Sequence, residues 1–155
     1  MSTTNDGGRY GPVGLDAVAA AAEGPWQPKI AVRFNGFDAK VARFEGEFAW
    51  HVHEEVDEFF LVLDGTVTIM LRERGADDAG AGGGADADGG GVVERAVELG
   101  PHDTFVVPRG VEHKPVAPGG ASVLMVEPVG TVNVGDRHEE LPAHIDATTG
   151  ALLGD

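Results

Sequence analysis

Short runs of alternating apolar and polar residues recur along most of the chain, and they are separated by turn-forming residues such as Asn35-Gly36 and Pro118-Gly119-Gly120. The runs predict eight β-strands, at 30–34, 39–44, 48–53, 59–63, 66–71, 92–99, 104–107 and 121–126. Residues 15–23 are rich in alanine and are followed by Gly24-Pro25, so this segment is predicted to form a short helix. Many short strands with almost no helix predict an all-β, antiparallel sandwich or barrel.

One segment interrupts this pattern. Residues 75–91 consist only of Gly, Ala and Asp, so they have no side chains with which to build a core and are expected to form a disordered hairpin insertion. The glycines do not mark a phosphate-binding loop, because no lysine follows them and no helix begins after them. We therefore expect an N-terminal arm with a short helix at 1–28, a barrel at 29–129 and a C-terminal tail at 130–155.

The length of 155 residues fits one domain. Twenty-six acidic residues against eleven basic ones give a net charge of −15. Such a charge repels phosphate backbones, so a nucleic-acid partner is not expected. Only three of the basic residues are lysines, and this acidic, Gly- and Ala-rich composition is typical of proteins from salt-loving organisms. The alternative is an acidic protein with no relation to salt.

The absence of cysteine excludes disulfides, thiolate zinc sites and cysteine nucleophiles. The N-terminal residues show no signal-peptide pattern. No apolar stretch approaches the roughly 20 residues that a membrane helix requires. A cytoplasmic protein with no membrane partner is the expectation.

Candidate chemistry concentrates in two short segments. In His51-Val52-His53, the two histidines lie two residues apart in a predicted strand, so both side chains point to one face and are able to bind a single ion. Glu58 begins the next strand, where a turn can bring its carboxylate to the same place. His113 follows a Pro-x-Gly turn sixty residues after His53, so only the fold can unite these residues. The alternative is that these histidines are exposed in an acidic loop region.

These segments resemble the two motifs of the cupin superfamily, specifically of its small single-domain members. The first motif appears as Gly46, four residues, His51-Val52-His53, four residues, Glu58, six residues and Gly65, which is one residue short after the first glycine. The second keeps Pro108-x-Gly110-x-x-His113. Its opening glycine is displaced to Gly100 or replaced by His102, and its final asparagine is replaced by Ala117.

The resemblance implies a cupin-type jelly-roll barrel with one divalent transition metal ion inside, bound by His51, His53, Glu58 and His113. Three imidazole nitrogens and one carboxylate suit Fe, Mn, Ni, Zn or Cu, so the ligand set does not select the metal. Acidic neighbours are expected to raise the pKa values of these histidines. His102, His138 and His144 lack ligand spacing and are expected at the surface.

The resemblance also implies a function class. We expect an enzyme of dioxygenase, isomerase or lyase type that binds a small polar molecule at open metal positions, with Glu58 as the candidate catalytic residue. Glu112 is the other candidate for proton transfer, although a solvated charge at the rim is the simpler interpretation of that residue. The alternative is a non-catalytic binding or sensor protein for a small-molecule ligand.

Association is predicted from the strand that begins at Glu58. If Glu58 points inward, Phe59, Leu61 and Leu63 point outward and form an apolar face that needs a cover. The cover is either the N-terminal helix or a second subunit, and a homodimer is the expectation.

Overall fold

The computed structural model describes residues 11–74 and 91–152. Its helix and strands follow the chain in one order. They are α1 (Leu15–Ala20), β1 (Lys29–Phe34), β2 (Phe37–Glu47), β3 (His51–Val52), β4 (Glu58–Gly65), β5 (Val67–Arg74), β6 (Val92–Leu99), β7 (Thr104–Val107), β8 (Glu112–Pro128), β9 (Arg137–His138) and β10 (Ala151–Leu152). All but one of the pairings between these strands are antiparallel, which confirms the predicted all-β fold with a short N-terminal helix.

The long strand β8 organises the barrel. Its first half pairs with β5 and, at His113, with β3, whereas its second half pairs with β4 on one side and with β2 on the other. A strand that is hydrogen-bonded to four others holds both halves of the molecule in one sheet. The architecture is the jelly-roll barrel that the resemblance to the cupin motifs implied.

Strand β8 is also where the sequence-based prediction was least accurate. Residues 118–120, Pro-Gly-Gly, were expected to turn the chain, but the structure keeps them inside the strand. Ala117 pairs with Gly46 and Ala121 pairs with Phe44, so residues 118–120 face the single residue Glu45 of β2. The extra residues form a bulge, which bends a strand without ending it.

Two other elements are shorter than predicted. The helix ends at Ala20 rather than at residue 23, and the predicted strand 48–53 is reduced to His51–Val52. The backbone before β3 remains hydrogen-bonded in an irregular way: the Phe48 amide donates to the Pro115 carbonyl, and the Trp50 amide donates to a carboxylate oxygen of Glu139. Side-chain partners of this kind satisfy the backbone where a regular ladder is absent.

The core fills the inside of the barrel. Along β4, Glu58, Phe60 and Val62 are buried, while Phe59, Leu61 and Leu63 are half-buried on the outer face, in the alternation predicted from sequence. The segment after residue 129 also takes part: β9 pairs with β3, β10 pairs with β1, and the side chains of residues 134 and 145 lie in the main core cluster.

Strands β5 and β6 form a hairpin that is paired from Val67–Leu99 to Arg74–Val92. The Gly/Ala/Asp insertion joins the open ends of this hairpin, and all of it except Gly91 lies outside the described residues. Within the ranges 11–74 and 91–152, no helix has the length and apolar character to cross a membrane.

Candidate metal centre

Strand pairing brings the four predicted ligands together. His51 of β3 lies directly opposite His113 of β8, and Glu58 begins β4, whose later residues pair with β8. The Gly110 amide donates a 2.8 Å hydrogen bond to the His53 carbonyl, so the turn before β8 is tied to the chain just after β3. Gly110 has a φ of +83°, a left-handed conformation that glycine adopts without steric cost.

The four side chains form one compact, buried cluster. One donor atom from each residue lies within 4.8 Å of the donors of the other three. Glu58 Oε1 is 3.1 Å from Nε2 of His53 and 3.1 Å from Nε2 of His113. Two ligand atoms bound at right angles, each about 2.1 Å from one ion, are about 3.0 Å apart. The spacing therefore suits donors that share a cation.

Backbone hydrogen bonds define the tautomers of two histidines. His51 Nδ1 lies 2.8 Å from the Ala49 carbonyl, and His113 Nδ1 lies 3.0 Å from the Val111 carbonyl. A carbonyl only accepts, so each Nδ1 carries the proton, and in the neutral ring Nε2 presents its lone pair to the cluster. A hydrogen bond from the far ring nitrogen to a carbonyl is the usual way in which proteins orient metal-binding histidines.

His53 supplies the observation that tests whether a metal fits. Its Nε2 is buried and has no hydrogen-bond partner among the described residues, although Glu58 Oε1 is only 3.1 Å away. A buried polar atom without a partner is costly in a folded protein. A cation between these two atoms would satisfy both, so the donor set and its geometry are compatible with a divalent transition metal.

Burial and neighbouring charges shift the pKa values of the clustered side chains in different directions. Burial, helped by the charge of nearby His113, lowers the pKa of His51 to about 3. Burial also acts to lower the pKa of His53, but the adjacent Glu58 carboxylate outweighs it and raises this pKa overall. The pKa of Glu58 lies well below its usual value despite burial, because His113 and His53 stabilise the carboxylate. The expectation that acidic neighbours raise the histidine pKa values is therefore wrong for His51.

A cavity of about 30 Å³ adjoins the cluster. Its apolar lining includes the side chains of Trp26, Phe44, Phe48, Phe60 and Met125, and its polar lining includes those of His51, Glu58 and Glu127. The sequence suggested five apolar residues as cavity lining, with plain core as the alternative: Phe48, Trp50, Phe60, Phe105 and Met125. Phe48, Phe60 and Met125 line the cavity, Trp50 and Phe105 do not, and Trp26 and Phe44 were not predicted. Glu127 had no signal at all, since it stands outside both cupin motifs.

Glu127 is held by a buried lysine. Lys40 Nζ donates a 2.7 Å hydrogen bond to Glu127 Oε2 and a 3.2 Å hydrogen bond to the Thr131 carbonyl. Burial raises the pKa of Glu127 to about 7, with a further contribution from the charge of Glu58, while Lys40 acts in the opposite direction. The cavity thus contains a second carboxyl group in addition to the one in the cluster.

The acidic residues that flank the motifs form ion pairs with arginines outside the cluster. Each of three acidic side chains binds an arginine: Asp57 binds Arg109, Glu54 binds Arg137 and Glu112 binds Arg72. Glu112 lines a separate surface groove rather than the cavity, which removes the structural support for it as a proton-transfer group. As expected, His102, His138 and His144 are exposed.

Fold and cluster together define a class of protein: a small jelly-roll barrel with three histidines and one glutamate gathered inside it. No family model matches the chain. A cupin-2 domain protein from Shewanella frigidimarina is 27% identical, covers 76% of this chain and 94% of its own, and superposes with a TM-score of 0.58. Hydroquinone 1,2-dioxygenase from Sphingomonas sp. TTNP3 is 23% identical, with coverage of 84% and 83% and a TM-score of 0.57.

A curated relative, the uncharacterized protein YdbB of Bacillus subtilis, is 29% identical over 80 residues, which are 52% of this chain. The match covers 53% of YdbB, so the chain spans about half the length of this relative. The motifs, the jelly-roll barrel and the structural neighbours agree. This chain contains a cupin domain.

Proposed function

We propose that the chain binds one divalent transition metal ion through His51, His53, Glu58 and His113. The observation that carries this proposal is the buried cluster of four donor atoms within 4.8 Å of one another, in which His53 Nε2 has no hydrogen-bond partner among the described residues. Iron, manganese, nickel, zinc and copper all accept such a donor set, so the proposal covers each of these ions.

We further propose that the site is catalytic and acts on a small molecule. The ion, when bound, would supply a Lewis acid or an oxygen-binding centre. The cavity beside His51 and Glu58 gives a small molecule a place next to the cluster, and its walls are largely aromatic. In this proposal, Glu58 Oε1 accepts a proton within the site. Dioxygenase, isomerase or lyase chemistry is compatible with this arrangement.

The second candidate is a binding or sensor protein without turnover. The small cavity favours it, because a volume of about 30 Å³ has room for only two or three water molecules unless side chains move. Elemental analysis of protein purified without a metal-affinity tag separates the candidates. Iron or another redox-active ion supports oxygen chemistry, whereas zinc or the absence of metal favours the binding protein.

The metal site is tested by measuring metal per chain after dialysis against a weak chelator. We expect His51→Ala, His53→Ala and His113→Ala each to lose most of the metal. The exposed His138→Ala and His144→Ala are the matched controls and should retain it. Glu58→Gln should lose less metal than the histidine variants but should lose activity, if Glu58 transfers a proton. Normal metal content in any of the three ligand-histidine variants would contradict the site.

The same measurement over a range of pH tests the chemistry of the ligands. Histidine must be neutral to bind a metal, and its ordinary pKa is near 6.5, so protons compete with the ion. The lowered pKa of His51 keeps that ring neutral, whereas His53, whose pKa is raised, is the ring at which protons compete. We therefore expect metal content to fall between about pH 7 and about pH 5. Content that is constant over this range would contradict histidine ligation.

We also propose a homodimer that forms through the outer face of β4 and β7. Helix α1 packs on Leu63 and Leu124 and so covers one end of this face. At the other end Phe59 pairs with Val106, whose side chain is 45% exposed. A second copy of the chain would bury this end.

A cytoplasmic location and adaptation to high salt stay predictions from the sequence.

A further inference from the structure

Glu127 presents an unsatisfied oxygen in the cavity. Its side chain is buried, with 2% of its surface exposed, and it lines the same cavity as His51 and Glu58. Oε2 is bound to Lys40, but Oε1 has no hydrogen-bond partner among the residues of 11–74 and 91–152. A buried ion pair that serves only stability satisfies the remaining carboxylate oxygen as well, because an unpaired buried oxygen is costly.

Strand register explains why Glu127 is close to the cluster. Phe59 of β4 pairs with Val126 of β8, so the next residues along, Glu58 and Glu127, are cross-strand neighbours. Both side chains are buried and point into the barrel. Like charges directly opposite each other on a sheet are destabilising. The Lys40 ammonium, on the neighbouring strand β2, offsets this repulsion and holds Glu127 in place.

We propose that Glu127 is a second binding group of the cavity, which accepts a hydrogen bond at Oε1 from a hydroxyl group of the molecule that binds the metal. The proposal rests on the metal site described above. It gives the ligand a chemical class: a small compound with a metal-binding oxygen at one end, an apolar body against the aromatic walls and a hydroxyl group at the other end. Because the cavity volume is only about 30 Å³, a compound of this class binds only if the lining side chains move, and the smallest members of the class are favoured.

Matched probes test this assignment in the Co(II)-loaded protein, where visible absorption reports ligand binding without turnover. Propionate and 3-hydroxypropionate carry the same charge and differ by one hydroxyl group. A hydrogen bond to a charged acceptor is strong enough for the wild type to bind 3-hydroxypropionate about tenfold more tightly. Equal affinity for the two probes in the wild type would overturn the proposal.

Variants connect the preference to Glu127. In the double variant Lys40→Met/Glu127→Leu, Co(II) content and propionate affinity should be unchanged, and the preference for the hydroxyl compound should disappear. Glu127→Gln is a milder variant: its amide oxygen remains on Lys40 and its NH2 group replaces Oε1, so it too should lose the preference. The control Glu73→Gln/Arg95→Gln removes an exposed ion pair between β5 and β6 and should keep it.

The remaining outcomes separate the two proposals. If the wild type fails to hold Co(II), the metal site itself is wrong. If the wild type holds Co(II) but both Glu127 variants still bind 3-hydroxypropionate more tightly than propionate, chelation of the metal by the probe explains this preference. The role of Glu127 is then overturned. Loss of Co(II) from both Glu127 variants also overturns it, because Glu127 would then belong to the metal site.

Discussion

Replacement of Lys40 and Glu127, singly and together, tests the energetics of the buried pair. Both side chains are almost fully inaccessible, and the two charged atoms, Lys40 Nζ and Glu127 Oε2, are 2.7 Å apart. At an effective dielectric constant of about 20, charges at this distance attract by about 6 kcal/mol. Removal of both charges from water costs several kcal/mol each, so the pair contributes little net stability although each partner depends strongly on the other.

At about pH 8.5 we therefore expect Lys40→Met and Glu127→Leu each to lower the free energy of unfolding by about 3–5 kcal/mol. The double variant should be within about 1 kcal/mol of the wild type, because two apolar side chains of similar size replace the pair. The coupling energy from this cycle is then at least about 5 kcal/mol, which is above the usual range for a contacting pair.

The coupling should depend on pH. The pKa of Glu127 rises from 4.5 to about 7 in the folded protein, so the folded state binds more protons than the unfolded state between these values. Stability from this group is therefore present at low pH and is lost as the pH rises through 7. At about pH 5.5 Glu127 is mostly protonated, so the coupling energy should be about 2 kcal/mol smaller than at pH 8.5.

Urea unfolding of the metal-free protein, followed by circular dichroism in the presence of a chelator, measures all four proteins at both pH values. The histidine cluster does not cancel completely in the cycle, because the charge of Glu127 contributes to the raised pKa of His53 and is lost in two of the four proteins. Additive single effects at the higher pH would refute the buried pair. A coupling energy that is the same at both pH values would refute the raised pKa of Glu127.

Three further predictions concern the rest of the molecule. Because carboxylate repulsion is screened by salt, the melting temperature should rise from about 0.1 to about 3 M KCl, and a flat or falling midpoint would contradict adaptation to salt. Replacement of residues 75–91 by a two-residue Asn-Gly turn should leave stability and metal content unchanged, since Arg74 and Val92 are already paired. Loss of stability or of metal would show that the insertion has a role. Light scattering should give about twice the chain mass of 16.1 kDa, and Val106→Glu should give the monomer; a monomeric wild type would contradict the dimer.

The fold was largely predictable because its signals are local. The alternation of Glu58 to Leu63 specifies which side chains face the core, and tight turns such as Asn35-Gly36 place the strands in order. Proline and glycine misled the prediction at residues 118–120, where they form a bulge rather than a turn. No local rule separates these outcomes, because the bulge exists only when β2 lies alongside β8.

The candidate ligands were predictable for a different reason. His51 and His53 are two residues apart in a segment predicted to be a strand, so a common direction follows from strand geometry, although β3 ends at Val52 in the structure. The participation of His113 depends on its pairing with His51 across the sheet, and no spacing in the sequence encodes that contact. The resemblance to the cupin motifs predicted that His113 belongs to the site. The strand register, which pairs His113 with His51, is the physical cause.

No sequence motif indicated the second part of the candidate site, the buried pair of Lys40 and Glu127. Lys40 and Glu127 are 87 residues apart, and each is of a residue type that is normally exposed, so sequence analysis alone predicts two solvated charges. They become a buried pair because β2 and β4 flank β8 and direct Lys40, Glu58 and Glu127 into the same interior. Motif residues thus define where a metal can bind, whereas the groups that would select a small molecule come from the barrel wall. For this reason, chains with the same four ligands can differ in what they bind, and the specificity of this one is to be sought at Glu127.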